Sequence, residues 1–233
     1  MVGQGELLLE IGCGHSMLPT LWKELGMQTI VLDRNRKALE WQIGRSVGTA
    51  DTAIDVVLAD MRYLPFRDQS VMSVSCISAI EHIPGNGDVE AASEIGRILR
   101  VNSVSVISLP LAPGGKSYVR HHWATGIPPV MQRLFGPCLP AILTRFQIDR
   151  TSSYFERFFS MKDLCKRIIT PSGCVKQDYF TLTSGPITKL LHQKVIPQGF
   201  LALLEYLIAS SLSTAKRTEN ADAIVIKLRK VEP

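Results

Sequence analysis

Four short clusters carry groups suited to holding a nucleoside and working beside it. The first is Glu10-Ile11-Gly12-Cys13-Gly14. Its glycines let a backbone approach a ligand closely, and a helix starting just after them would offer free N–H groups. The second is Asp33, 19 residues after Gly14. At that distance a carboxylate accepts hydrogen bonds from ribose hydroxyls. The third is Asp60, followed by Leu64-Pro65-Phe66. The fourth is Glu81-His82, a carboxyl group beside an imidazole. A lone Gly-x-Gly is usually no more than a tight turn. Four such clusters in succession are a constellation, provided that the fold brings them together.

The elements around them do so if each cluster ends a strand. Leu7 to Ile11 is an apolar run stopped by Gly12, and Gln28 to Leu32 is a second run, ending at Asp33. Asp55 to Ala59 ends at Asp60. Val71 to Ser78 ends near Glu81-His82, and Val104 to Leu109 is a fifth strand. Helices are predicted over Met17 to Leu25, Lys37 to Gly44 and Asp88 to Leu99. In the last, Asp88 is the expected cap, with Ala92, Ile95 and Leu99 on one face. Strands separated by helices at this spacing imply right-handed βαβ units and a doubly wound, mostly parallel sheet. Such a sheet binds ligands outside the carboxyl ends of its strands, where the strand order switches. All four clusters lie at those ends.

The regular alternation stops at Pro110. From Leu111 to Phe159 the chain carries Pro113, Pro128, Pro129, Pro137 and Pro140 among many apolar residues, and reads as a helical insertion or lid. Ser160 with Asp163 three residues on resembles a capping box, so a helix is expected there, ending before Pro171. Val175 to Leu182 reads as a sixth strand. Ile187 to Leu212 is mostly helical, and Asp222 to Leu228 is a final strand. The whole is expected to be one domain, 1–233, with a cofactor half over 1–110, the insertion over 111–159 and closing elements over 160–233.

A dinucleotide would call for a third glycine where Met17 stands, and a P-loop for a Gly-Lys-Ser/Thr ending that does not follow this strand. The ligand left is S-adenosylmethionine, which has a ribose and an adenine but no phosphate. Residues 7–110 resemble the class I S-adenosylmethionine-dependent methyltransferases, type 11 small-molecule branch. The family's acidic-x-Gly-x-Gly-x-Gly matches Glu10 to Ser16, with Ser16 in place of the last glycine. Its acidic residue after the second strand matches Asp33. Its Ala-Asp-x-x-x-Leu-Pro-Phe matches Ala59 to Phe66, and its Glu-His-Ile matches Glu81-His82-Ile83. Its usual Lys-Pro-Gly-Gly turn is replaced by Val101-Asn102-Ser103. The resemblance implies a seven-stranded Rossmann-like sheet closed by an antiparallel hairpin. It implies S-adenosylmethionine as cofactor, held by Glu10, Gly12, Gly14, Asp33, Asp60 and Met61, with Glu81 and His82 as catalytic residues. The family usually places helices before the first strand. Here that strand begins near Glu6, so the cover must come from elsewhere, or the start is truncated.

Acceptor chemistry is less legible. Adjacent His121-His122 cannot face the same way on a strand or helix, so no metal site is expected there. Pro137-Cys138 lies in the insertion, whereas the nucleophile of cytosine C5-methyltransferases follows strand four. The stretch after strand four, Ser75-Cys76-Ile77-Ser78, lacks the Asn/Asp-Pro-Pro-aromatic run that marks methylation of nucleobase amino groups. The expected acceptor is small, apolar or lipid-like. The alternatives are a protein or RNA acceptor, or a silent S-adenosylmethionine-binding scaffold.

Composition sets the outer bounds. A chain of 233 residues buries a core without disulfide staples, and 45% hydrophobic with 20% charged residues excludes disorder. Five scattered cysteines with no C-x-x-C favour a reducing compartment and a cytoplasmic location. A net charge of +5 without a dense basic run predicts no nucleic-acid partner. Residues 112–159 hold six Lys or Arg against two Asp or Glu. Between Lys194 and Lys216 the one charge is Glu205. The clean helical part there, Phe200 to Leu212, is about 20 Å long, too short to span a bilayer. These segments are expected to pack as a lid or to dock peripherally on an anionic membrane.

Overall fold

The computed structural model describes residues 6–46, 54–112, 115–123, 152–182 and 221–232. The first half alternates as its hydrophobic runs dictate: β1 (Leu7–Ile11), α1 (Leu18–Glu24), β2 (Gln28–Asp33), α2 (Arg36–Ser46), β3 (Asp55–Leu58) and β4 (Val71–Ile77). A 3-10 turn, Ile80–His82, then leads to α3 (Gly87–Ile98) and β5 (Leu99–Pro110). A ribbon of β6 (Tyr118–Trp123) and β7 (Ser152–Phe158) follows. Next come α4 (Met161–Leu164) and the last two strands, β8 (Cys174–Leu182) and β9 (Ala223–Lys230).

The sheet order is β3-β2-β1-β4-β5-β9-β8. β1 to β5 pair in parallel, while β9 is antiparallel to both β5 and β8. This is the seven-stranded, mostly parallel sheet with a closing hairpin. The order switches between β1 and β4, which opens a crevice at their carboxyl ends. β1 and β4 are buried on both faces, as inner parallel strands are. Leu9, Ile11, Val74 and Cys76 form one core with Ile107 and Leu109 of β5 and with Ile224, Ile226 and Leu228 of β9. No helix among the described residues is long and apolar enough to cross a membrane.

Three local expectations change. Asp88 does not cap α3. Asn86 holds the N-cap position, and Asp88 is fully buried, where Arg167 donates to both its oxygens at 2.7 and 2.6 Å. Arg157 adds a contact at 3.6 Å. Two guanidiniums outcompete a helix end for that carboxylate. Ser160 does cap α4, its Oγ accepting from Asp163 N–H at 3.1 Å, but the helix runs past Pro171. A π-type turn over Cys165–Ile169 widens it ahead of the proline, and it ends at Gly173 with φ 59°.

The third change concerns the insertion. Its described flanks are strands, not helices: β6 and β7 pair antiparallel, with Tyr118 stacked on Phe158. His121 and His122 are neighbours on β6. The apolar runs over 124–146 and 195–215, with Pro137-Cys138 and the helix expected over 187–212, lie outside the described residues.

Candidate functional site

The crevice is a cleft of about 240 Å³ walled by the residues that follow β1, β2, β3 and β4. Gly12 and Gly14 form its floor, Asp33 and Arg34 one side, Asp60 and Met61 another. Ser78, Ala79, His82 and Ile83 close it. Of the eight predicted site residues, six line this cleft. Glu10 and Glu81 stand behind it.

The floor is a strained turn that only glycine tolerates well. Gly12 has φ 72° and donates to the Leu32 carbonyl at 2.7 Å. A Cβ there would strike the Cβ of Ala79 and crowd Met61. Gly14, at φ 48°, faces open space. Asp33 holds the turn from the next strand: Oδ2 accepts from Gly14 N–H at 2.9 Å and Oδ1 from Asn35 N–H at 2.7 Å. Each oxygen can accept a further hydrogen bond. Ser78 sits at φ 49° in the opposite wall, an uncommon backbone for a serine, fixed where its N–H donates to Ser108 Oγ at 3.0 Å.

Asp60 carries a partner that spacing did not reveal. Its Oδ1 accepts from Arg62 N–H at 2.9 Å, and the Arg62 guanidinium grips both oxygens at 2.7 to 3.1 Å. That grip holds the Asp60 carboxyl below its ordinary range. Glu10 is 1% exposed, and Trp22 Nε1–H donates to its Oε2 at 3.2 Å. Burial pushes its pKa up to about 7, against the pull of Ser75 and Trp22.

Behind the His82 wall of the cleft, the 3-10 turn is tied to β7. His82 Nδ1–H donates to the Phe155 carbonyl at 2.8 Å, since a carbonyl can only accept, so in the neutral ring Nε2 carries the lone pair. Phe155 is the extra residue where the ribbon register shifts, between the pairs Arg120–Glu156 and His121–Tyr154. Tyr154 O–H donates to the Glu81 carbonyl at 2.6 Å. The Glu81 side chain is 2% exposed, with Oε1 3.9 Å from His82 Nε2. Burial, with Glu156 adding to it, raises its pKa to about 8. Glu156 is buried beside it. One ligand-type atom from each of Glu81, His82 and Glu156 lies within 4.8 Å of the others. Tyr154, Phe155 and Glu156 went unread in the sequence because nothing local ties β7 to Glu81-His82.

Residues 9–107 match the family model for a methyltransferase domain. A search of curated proteins by sequence found no match. Among solved structures, the chain is similar to the YcgJ protein of Bacillus subtilis. The TM-score is 0.61 and the identity 14%, over 99% of this chain and 94% of that one. It is also similar to a geranyl diphosphate C-methyltransferase from Streptomyces coelicolor A3(2), solved with Mg2+, geranyl diphosphate and S-adenosyl-L-homocysteine. There the TM-score is 0.60 and the identity 14%, over 99% and 76% of the two chains. A third likeness is to the [4+2]-cyclase SpnF, with TM-score 0.59 and 14% identity over 100% and 78%. Likeness at this identity establishes the fold, and the chemistry rests on the site.

Proposed function

We infer that this chain, whose residues 9–107 match the family model for a methyltransferase domain, moves the methyl group of S-adenosylmethionine to a small acceptor. The observation that carries the reading is the convergence of Gly12, Gly14, Asp33, Asp60, Met61 and His82 on one cleft at the topological switch point. In this reading the ribose hydroxyls donate to the free lone pairs of Asp33, and the adenine lies by Met61 and Asp60. The methionine end passes over the Gly12–Gly14 turn, where the space beside Gly14 receives it. Glu10 supports that turn from behind through Trp22.

The sulfonium already makes the methyl carbon electrophilic. The acceptor's lone pair forms a bond to that carbon as the C–S bond breaks, leaving S-adenosylhomocysteine. The protein supplies alignment, a dry site and a proton acceptor. His82 offers its Nε2 lone pair, and the Glu81 carboxyl stands beside it.

An apolar or lipid-like acceptor fits the aromatic pair Tyr118–Phe158 on the ribbon and the basic balance of residues 112–159. The similar protein from Streptomyces acts on a prenyl diphosphate. Calorimetry with S-adenosylmethionine tests the donor. Labelled donor in a metabolite extract tests the acceptor and separates an enzyme from a silent scaffold. Absence of donor binding would overturn the reading. Co-sedimentation with anionic liposomes at low and high salt tests peripheral docking, which fails if no protein sediments at low salt.

A further inference from the structure

We propose that Glu81, His82 and Glu156 form a divalent-cation site at the acceptor end of the cleft. The methyltransferase reading is needed only for the use of that site, not for its existence.

The geometry is that of a site that a small rotation of its side chains would close. Ligand atoms on one ion with bonds of about 2.1 Å lie about 3.0 Å apart when adjacent and about 4.2 Å when opposite, and the three groups lie within 4.8 Å of one another. They come from two elements fixed to each other. Tyr154 O–H binds the Glu81 carbonyl, and the Phe155 carbonyl takes the His82 Nδ1–H. The second contact sets both the tautomer and the ring orientation, leaving Nε2 as the donor atom. A histidine ligand commonly has such a partner on its other nitrogen.

An independent observation points to a ligand. Glu81 is 2% exposed, and its Oε2 has no hydrogen-bond partner among the described residues. A buried carboxylate oxygen without a donor is unfavourable unless something else satisfies it. The same carboxylate is directed into the cluster, with its Oε1 3.9 Å from His82 Nε2. The neighbouring cations are otherwise engaged: Arg167 and Arg157 are turned to Asp88. Two carboxylates and one imidazole suit Mn2+, Fe2+ or Zn2+. Three protein ligands leave coordination positions open, and His82 lines the cleft, so those positions face the acceptor. The substrate class is then an acceptor that presents a hydroxyl or anionic oxygen to the ion beside the carbon or oxygen to be methylated.

The test uses the full chain, stripped with chelator and titrated with Mn2+ while the free Mn2+ spectrum is followed by electron paramagnetic resonance. One Mn2+ should bind per chain. Glu156→Gln and Glu81→Gln should each weaken it at least tenfold. Glu156→Gln should keep the wild-type affinity for S-adenosylmethionine, which shows that its fold is intact. No stoichiometric binding of Mn2+ or Zn2+ to the wild type would overturn the proposal, as would binding that neither variant changes. Failure to bind S-adenosylmethionine would instead overturn the functional reading, because the cation titration needs no donor.

Discussion

Replacing Glu10 by Gln removes a carboxyl whose pKa burial holds near 7, against an ordinary value of 4.5. A shift of 2.5 units corresponds to about 3.4 kcal/mol between the two protonation states. The sign follows from proton counts. Between 4.5 and 7 the folded chain keeps the Glu10 proton that the unfolded chain has lost, so stability falls as pH rises through that window. The carboxyl opposes folding most above pH 7. Integrated from pH 5 to pH 8, its share of the loss is about 2.5 kcal/mol. The assay is urea unfolding of wild type and Glu10→Gln across that range, taking the difference at each pH so that other titrating groups cancel. Glu10→Gln should gain about 2.5 kcal/mol on the wild type between pH 5 and pH 8. Trp22 gives a second readout, because its indole N–H donates to Glu10. Its emission should titrate near pH 7 in the wild type and not in the variant. A difference that stays flat from pH 5 to pH 8 would show that Glu10 is hydrated or firmly paired, and would refute the account of this strand end.

Asp33→Ala should weaken S-adenosylmethionine binding at least tenfold, since two charge-assisted hydrogen bonds of roughly 1.5–3 kcal/mol each are lost; an unchanged Kd by calorimetry would remove Asp33 from the ribose. Gly12→Ala should abolish donor binding and cost about 1–2 kcal/mol in backbone strain plus the overlap with Ala79. Adding Ala79→Gly should recover the overlap but not the strain, and full recovery of the melting temperature would show that φ is not the constraint. Asp88→Ala leaves Arg157 and Arg167 facing each other without their buried carboxylate. It should destabilise the fold by about 3–5 kcal/mol in denaturant unfolding, and a loss under 1 kcal/mol would mean that water replaces Asp88.

What was legible in the sequence is what neighbours along the chain decide. Leu7 to Ile11 stops at Gly12 because the turn needs glycine there, and Asp33 reaches that turn because β2 lies beside β1. Asp60 lines the cleft from the end of β3, yet its clasp by Arg62 has no spacing signal although only one residue separates the two. Asp88 was misread for the opposite reason: a carboxylate at a helix start signals a cap, while the arginines that claim it lie far downstream. The β6–β7 ribbon gave no local signal. Its strands are short, and their partners are separated by the proline-rich stretch.

This difference between the two ends of the cleft has a physical origin. In the proposed reading the donor side is made largely of backbone: a glycine turn, strand ends and the carboxylates that hold them, each fixed by a few consecutive residues. A nucleoside with a fixed shape can be held that way, and the same residue types then recur at the same spacing. The acceptor side is made of side chains supplied across a tertiary contact. Glu81 and His82 belong to the parallel sheet's own connection, but Tyr154, Phe155 and Glu156 reach them from a ribbon inserted after β5. On the proposed reading, changing the ribbon should alter the surroundings of Glu81 and His82 while leaving the Gly12–Gly14 turn untouched. In the proposed reading the donor is held by residues 7–66, and the described part of the ribbon after β5 stands nearest the acceptor.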